Sequence, residues 1–532
     1  MVTTMSRLVS AQNVSEMLAD GEEIAFIDVR EIMPFGTGHA LLAANLPLSE
    51  IELTIGMLVP RRDTRMVLMD GGEGEAAVAA ARLEPLGYTD LAVMEGGAPA
   101  WQESGEALFP EIEVPAKGFG AFARINGKPN FISPHELNNA LESDEDWIVL
   151  DSRPNREFRW GNIPGSINVP SADLVRSFDD LVADPNTKVV VNCMSGTRGI
   201  LGGLSLVVAG VPNEVRVLFH GTRGWLLDGY ELEKNSDRAA APPSDASRES
   251  GIARAARIAD AAGIKRIDTE TLGRWRGEPD RTTYLLDVGT QPEFEAGHIP
   301  GSRCAPEGRL PMSPEQYFAT LNARYVLIDD DTVRATVNAL WLTKMGWGEI
   351  VILENGLEGE ALATGPEPAP DLDFPDLQVP SIDIETLGSL ENVRLIDVGT
   401  SDAHEVGHIP GAIWCSRVAL ADLLQAEPHD GPTVLTSEDG LRAKLAARDL
   451  GDTLPETLSI LEGGNTAWQR AGNAAATGIL RLASTRVDHW LASSERPGDV
   501  RQNVVDYLDW EITLFDDIEK GGPVPYRNLI WA

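Results

Sequence analysis

The amino-acid sequence predicts an α/β protein of four tandem domains, each with a small parallel sheet flanked by helices. Three observations lead to this prediction. One pattern recurs four times, short apolar strands alternate with helical stretches inside each repeat, and 532 residues suit about three to five domains of ordinary size. Apolar strands that alternate with helices indicate βαβ units, which form parallel sheets.

Each repeat has the same order of elements. It opens with an apolar strand that ends in aspartate, at Asp28, Asp151, Asp287 and Asp397. Copies two to four then carry Ile-Pro-Gly, as in GNIPGS, GHIPGS and GHIPGA. A second apolar strand follows (RMVLMD, KVVVNC, YVLIDD, TVLTSE), and then an Ala/Leu-rich helical stretch. A third strand ends in a Gly-rich turn: VMEGGAPAW, LFHGTRGW, ILENGLEG and ILEGGNTAW.

The repeats set the domain boundaries. We expect domains over residues 1–110, 128–235, 264–364 and 380–476, followed by a C-terminal helical extension over 480–532. Residues 234–263 are rich in Ala, Ser and Pro, which predicts a flexible connector, and the Pro-rich residues 365–380 predict a stiffer one. In the extension, Asp499 is placed to cap a helix that docks onto its own chain, with a homodimer seam as the alternative.

Composition excludes several classes of function. Lys and Arg number 44 against 82 Asp and Glu, a net charge of −38, which repels phosphate backbones and anionic lipid. We therefore expect no nucleic-acid partner and no membrane contact, and we read no signal peptide. The three cysteines, Cys193, Cys304 and Cys415, form no CxxC pair, which argues against disulfides and structural zinc. The prediction is a cytoplasmic protein without metal or cofactor.

One cysteine stands where chemistry is expected. Alignment through the Gly-rich turns makes Asp70, Cys193, Asp329 and Ser437 equivalent, each directly after the second strand. The segment CMSGTRG, from Cys193, is typical of a strand, a tight loop and a helix start, whose N–H groups would cradle an anion and lower the pKa of the thiol. Cys304 and Cys415 lack such a loop and are predicted to be inert buried thiols.

These motifs together resemble rhodanese domains, the sulfurtransferase family, over about residues 6–475. The resemblance rests on Asp-x-Arg, Ile-Pro-Gly, Cys-x-x-Gly-x-Arg and Gly-Gly-x-x-x-Trp. It implies that Cys193 is the nucleophile, which takes sulfane sulfur from a small anionic donor such as thiosulfate, becomes a persulfide, and passes the sulfur to cyanide or a thiol. It also implies a supporting pair, Asp151 and Arg153, and a substrate-binding loop of Met194, Ser195, Gly196, Thr197, Arg198 and Gly199.

Two further expectations concern how this site works. We expect Arg198 to bind the anionic end of the donor and to lower the thiol pKa. We also expect copies one and two to form a closed pair, in which an inactive copy one covers the active loop of copy two. Copies one, three and four lack the cysteine and are expected to be inactive.

Two alternatives remain open on the sequence. Cysteine phosphatases and arsenate reductases use Cys-x5-Arg, whereas only four residues separate Cys193 from Arg198, and the shorter loop favours sulfur. The cysteine-less copies also allow a non-catalytic array of rhodanese-like modules that acts as a scaffold or sulfur carrier. The sequence does not choose between thiosulfate and 3-mercaptopyruvate as donor, nor does it identify the acceptor.

Overall fold

The computed structural model describes residues 7–143, 145–306, 308–359, 361–368, 372, 379–479, 481–521, 525–527 and 529. Parts of the connector between copies three and four and of the C-terminal extension therefore lie outside the described residues. The described residues form four parallel sheets flanked by helices, with a long helix near the C-terminus. The predicted fold class is confirmed.

Copy one has a parallel sheet in the order β1-β5-β4-β2, and β3 also pairs with β2. Its strands are β1 (Arg7–Val9), β2 (Ile24–Asp28), β3 (Ala44–Asn45), β4 (Met66–Met69) and β5 (Leu91–Met94). Its helices are α1 (Ala11–Ala19), α2 (Ile32–Gly36), α3 (Ile51–Leu58), α4 (Glu75–Leu83) and α5 (Gly97–Glu103). The connector to copy two forms α6 (Val114–Asn126).

Copy two has the strand order β6-β10-β9-β7-β8. Its strands are β6 (Phe131–Ile132), β7 (Trp147–Asp151), β8 (Ile167–Asn168), β9 (Lys188–Asn192) and β10 (Val215–Leu218). Its helices are α7 (Pro134–Leu141), α8 (Asn155–Trp160), α9 (Asp173–Arg176), α10 (Phe178–Leu181), α11 (Thr197–Val208) and α12 (Gly221–Leu227). Strand β9 is buried at the centre of the sheet, which explains its run of three valines.

The connector between copies two and three is partly helical, so the prediction of a flexible segment over residues 234–263 is wrong. Helix α13 (Asp245–Ala262) begins after Ser244, whose hydroxyl accepts the Ser247 N–H. Ala255 and Ile258 of this helix are fully buried. An Ala-rich segment lacks strong apolar periodicity, and here the tertiary contacts of small side chains stabilise the helix.

Copy three repeats the parallel order β11-β16-β15-β12-β13. Its strands are β11 (Lys265–Ile267), β12 (Thr283–Asp287), β13 (Arg303–Cys304), β14 (Thr320–Leu321), β15 (Arg324–Ile328) and β16 (Glu349–Leu353). Its helices are α14 (Thr269–Arg276), α15 (Gln291–Ala296) and α16 (Val333–Met345). Strand β14 leaves this sheet and pairs antiparallel with β2 of copy one, so it joins the two copies through backbone hydrogen bonds.

Copy four follows the order β17-β21-β20-β18-β19. Its strands are β17 (Ser381–Ile382), β18 (Arg394–Asp397), β19 (Ile413–Trp414), β20 (Thr433–Thr436) and β21 (Leu458–Leu461). Its helices are α17 (Ile384–Ser389), α18 (Ser401–Val406), α19 (Leu420–Ala426), α20 (Leu441–Leu450) and α21 (Gly464–Arg470). A buried ion pair joins Arg417 of copy four to Glu52 of copy one at 2.8 Å.

The C-terminal extension contains α22 (Val500–Lys520), capped by Asp499 as predicted. Its residues Leu514 and Ile518 share an apolar cluster with Phe109 and Val114 of the same chain. The prediction that this helix docks onto its own chain is therefore confirmed. Among the described residues, no helix combines the length and apolar character needed to cross a bilayer.

Candidate functional site

Cys193 lies at the carboxyl end of β9, directly after Asn192, and is only 3% exposed. The Gly-rich turn after β10 holds the loop from the other side. Thr222 donates from its backbone N–H and its hydroxyl to the Cys193 carbonyl oxygen, at 2.8 and 2.9 Å. Gly221 has φ +54°, and a Cβ there would collide with that same carbonyl oxygen, so glycine is needed for the close approach.

The loop surrounds the sulfur with N–H donors, as the sequence predicts. The backbone N–H groups of Ser195 and Gly199 interact with the Cys193 thiol and favour its charged form. Helix α11 begins within the loop, at Thr197, so its N-terminal dipole adds to the positive potential. This arrangement can stabilise negative charge on a sulfur atom bonded to Cys193.

The thiol itself is not activated in the way the sequence suggests. Burial raises the pKa of Cys193 above its usual value, and Glu511 adds to this effect. The Arg198 charge and the two N–H groups act in the opposite direction but do not reverse it. The prediction of a lowered thiol pKa is therefore wrong for this state of the protein, because desolvation outweighs the cradle.

Arg198 lines the pocket above Cys193, but its guanidinium already has a partner. Its two terminal nitrogens donate to the Glu157 carboxylate at 2.7 and 2.8 Å, in a bidentate pair. Burial and this pairing act on Arg198 in opposite directions, and the net effect raises its pKa, so it stays charged. Donor binding by Arg198 therefore remains a prediction. It requires the guanidinium to bind the donor anion while it is also paired with Glu157.

The pocket above the thiol has a volume of about 250 Å³. Beyond the active loop, its walls come from the connector between copies one and two, from copy three, from the turn at Arg223 and from the C-terminal extension. The lining residues from these segments are Glu111, Ile112, Glu113, Lys117, Arg223, Met312, Trp490, Ala492, Ser493, Tyr507 and Glu511. The expectation that copy one covers the active loop is wrong: within the described chain, this lining includes no residue of the predicted first domain.

Glu511, on α22, is a site residue that the sequence analysis missed. The hydroxyl groups of Ser195 and Thr197 each donate to its Oε1 atom at 3.2 Å. The side chain is 9% exposed, so this carboxylate is held inside the pocket wall. The C-terminal helix thus completes the site through a direct contact with the active loop.

Two further cations face the pocket from outside the loop. The Arg223 guanidinium lies 4.4 Å from the centre of the Tyr507 ring, and the Lys117 ammonium lies 5.4 Å from that ring. Lys117 is buried and donates to the Ile112 carbonyl oxygen at 2.7 Å. With Arg198, the lining thus holds three cations, and the carboxylates of Glu111, Glu113 and Glu511 balance them in formal charge.

Asp151 and Arg153 form a fully buried ion pair at 2.8 Å, beneath the loop rather than in the pocket. Arg153 also donates to the Gly161 carbonyl oxygen at 2.7 Å. Asn192, directly before the cysteine, donates to the Asp151 carboxylate at 2.8 Å. These contacts join the ends of the neighbouring strands β7 and β9, next to Cys193.

The other cysteines lie away from this pocket. Both are buried, and neither forms a disulfide. The Cys415 thiol donates to the Ser416 carbonyl oxygen at 3.4 Å, and burial raises its pKa to about 11. A thiol with that pKa stays protonated near neutral pH, which is consistent with an inert role.

In the equivalent loops of the other copies, a carboxyl or hydroxyl side chain accepts the N–H groups of the loop. Asp70 accepts three backbone N–H groups, from Gly72, Gly74 and Ala76, at 2.8, 3.0 and 2.9 Å. Ser437 accepts two, at 3.1 and 3.3 Å, and Asp329 accepts two, at 2.9 and 3.3 Å. The predicted equivalence of the four positions is confirmed.

Among the described residues, one group of three carboxylates, Asp329, Asp330 and Asp331, has oxygens close enough together to hold a metal ion. Two of the three carboxylates are paired with arginine, because Arg176 donates to Asp331 at 2.7 Å and to Asp330 at 2.8 Å. The group therefore joins copies two and three by ion pairs.

Comparison with known proteins then places the chain. The family model for the rhodanese-like domain matches residues 10–104, 133–228, 269–361 and 384–471. The chain belongs to the rhodanese family. The sequence-based resemblance to this sulfurtransferase family is therefore confirmed, in four copies.

Individual relatives agree with the family. A crystal structure of thiosulfate sulfurtransferase from Pseudomonas aeruginosa is 38% identical with a TM-score of 0.93, and the match covers 98% of this chain and 99% of that one. The curated thiosulfate sulfurtransferase GlpE of Pseudoalteromonas translucida is 28% identical over 15% of this chain and 77% of its own length. The 3-mercaptopyruvate sulfurtransferase of Escherichia coli K12 is 26% identical over 29% of this chain. That match spans less than two thirds of the Escherichia coli protein, 62% of its length.

Proposed function

We propose that this rhodanese transfers sulfane sulfur from thiosulfate, or a similar small anionic donor, to cyanide or a thiol through a persulfide on Cys193. The observation that carries the proposal is the position of Cys193. It is the only one of the four equivalent loop positions with a thiol, and it lies under N–H donors at the base of a pocket lined by Lys117, Arg198 and Arg223. The full-length likeness to a thiosulfate sulfurtransferase supports the same donor.

The first step forms the persulfide. The Cys193 thiolate attacks the outer sulfur of thiosulfate, the S–S bond of the donor breaks, and sulfite leaves with the electron pair of that bond. The thiol proton must pass to solvent before this attack, and the Arg198 charge and the N–H groups of Ser195 and Gly199 favour that loss. The terminal sulfur of the persulfide then carries the negative charge, next to the N–H groups of Ser195 and Gly199.

The second step regenerates the enzyme. Cyanide or a thiolate attacks the terminal sulfur, the persulfide bond breaks, and Cys193 leaves as a thiolate. No external oxidant or reductant is needed, because the sulfane sulfur moves from one nucleophile to another.

Mass spectrometry of the intact protein tests the proposal. After incubation with thiosulfate and removal of excess donor, we expect one added sulfur atom on Cys193, and none in a Cys193→Ser variant. Addition of cyanide should remove that sulfur and release thiocyanate. If wild-type protein gains no sulfur from thiosulfate or 3-mercaptopyruvate, the alternative of a non-catalytic array is favoured.

A further inference from the structure

A second and larger cavity lies between copies one and three, with a volume of about 340 Å³. Its walls are mainly apolar and include Phe35 and Leu42 from copy one and Phe318 and Trp347 from copy three. It is distinct from the Cys193 pocket, although Ile112 and Glu113 line both. A cavity of this size and character matches the ordinary dimensions of a small-molecule site.

The charged groups of this cavity are all acidic. Glu50, Glu113 and Glu315 line it, and its lining within the described chain includes no lysine or arginine. His39 also lines it, but burial lowers the pKa of that imidazole to about 4, so it is neutral near pH 7. Of these carboxylates, Glu50 pairs with Arg442 at 3.1 Å, whereas no ion pair of Glu315 is seen among the described residues.

Two buried polar atoms of the lining have no hydrogen-bond partner among the described residues. They are the Glu315 Oε2 atom and the Trp347 indole nitrogen. Trp347 is 9% exposed. Burial and the nearby Glu113 raise the pKa of Glu315 to about 8, and the Lys117 charge opposes this without reversing it. Because buried polar groups nearly always have partners, the unsatisfied Glu315 oxygen at this cavity points to a missing ligand that can donate to it.

We propose that the cavity between copies one and three binds a small organic cation, with its ammonium group against Glu315 and Glu113 and its apolar body against the aromatic side chains. An apolar or aromatic body fits the lining, and an ammonium N–H would donate to the unpaired Glu315 oxygen and favour the ionised form of that carboxyl against the effect of burial. The proposal does not depend on sulfur transfer. Through Ile112 and Glu113, however, the ligand would contact the wall of the Cys193 pocket.

Isothermal titration calorimetry on the full-length protein tests the site with three probes of one shape. The probes are 2-phenylethylamine, its neutral isostere 2-phenylethanol, and the anion 3-phenylpropionate. We expect saturable binding of the amine with a Kd in the millimolar range or tighter, and binding about 10- to 100-fold weaker for the alcohol and the anion. Equal binding of all three probes, or no saturable binding of the amine, would overturn the proposal.

A pair of variants locates the binding. Glu315→Gln should remove the preference for the amine over the alcohol, while the exposed Glu391→Gln should preserve it. A preference that persists in Glu315→Gln would place the amine elsewhere and refute this assignment. If Glu315→Gln does not fold, the comparison of the three probes on the wild-type protein still decides whether a cation site exists.

Discussion

The active loop of copy two and the equivalent loop of copy one share a backbone design and differ in what fills it. In copy one, the Asp70 carboxylate takes three N–H donors of its own loop. In copy two, the N–H groups of Ser195 and Gly199 interact with the Cys193 thiol, which is a weaker acceptor than a carboxylate. A loop that carries its own anion is complete, whereas a loop with a thiol can stabilise an anion formed during a reaction.

The surroundings of the two loops also differ. Copy two has α22 beside its loop, with Glu511 bonded to Ser195 and Thr197. The Asp28–Arg30 pair beneath the loop of copy one resembles the Asp151–Arg153 pair of copy two. The buried support is therefore common to both copies, and the two sites differ in the loop residue and in what covers it.

The strongest test of this comparison replaces the thiol. Cys193→Ser should lower sulfur-transfer turnover by about 10³-fold or more, because a hydroxyl cannot carry the sulfane sulfur. Steady-state thiocyanate formation from thiosulfate and cyanide measures the loss. Cys304→Ala and Cys415→Ala serve as controls and should stay close to wild type. Loss of turnover in either folded control would contradict the assignment of a single active copy.

The next test concerns the positive charge of Arg198 in the pocket of copy two. Arg198→Ala should reduce kcat/KM for thiosulfate about 10- to 150-fold, as expected for a lost charge-assisted contact. It should also raise the pKa of Cys193, because the Arg198 charge lowers it in the wild-type protein. The pH dependence of alkylation by iodoacetamide reports this change.

The Arg198–Glu157 pair provides a matched control. Glu157→Gln removes the opposing carboxylate and leaves the guanidinium in place, so the alkylation profile should move to lower pH, opposite to Arg198→Ala. If both variants leave the profile and kcat/KM unchanged, Arg198 acts only as a structural ion-pair partner.

A third test addresses the filled loop of copy one. Asp70→Asn puts an amide where three N–H groups converge, and it should cost about 2 kcal/mol of the stability of copy one. Hydrogen exchange at β4 measures this locally, which suits a chain of several domains better than one global transition. The exposed Asp280→Asn should have no such effect. Unchanged exchange in Asp70→Asn would show that the carboxylate contributes little to the loop.

The sequence predicted the parts of the site that lie within one stretch of chain. Cys193 and its loop, the strand before it and the equivalence with Asp70 all follow from local motifs, because a strand, a tight loop and a helix N-terminus need characteristic residues in order. The sign of the thiol pKa could not be predicted in this way. It depends on burial by α22 and on Glu511, which are more than 300 residues away in the chain.

Glu511 shows why the cover of the pocket was missed. The apolar spacing of Val504, Leu508 and Phe515 predicts a helix with one buried face, and the structure agrees. That spacing does not identify the surface against which the helix packs. A carboxylate between apolar positions is usually solvated, so nothing local marks Glu511 as a pocket residue. For α22, as for α13, tertiary packing decides which distant surface the helix contacts.

The smallest expected effect tests this cover. Glu511→Gln retains an oxygen to accept from Ser195 and Thr197 but removes the negative charge that raises the pKa of Cys193. The thiol pKa should fall, so alkylation by iodoacetamide near neutral pH should become several-fold faster. The exposed Glu519→Gln on the same helix is the control and should leave the rate unchanged. Equal alkylation rates in Glu511→Gln and wild type would mean that the carboxylate holds the loop without tuning the thiol. Slower alkylation would reverse the sign of the proposed electrostatic effect.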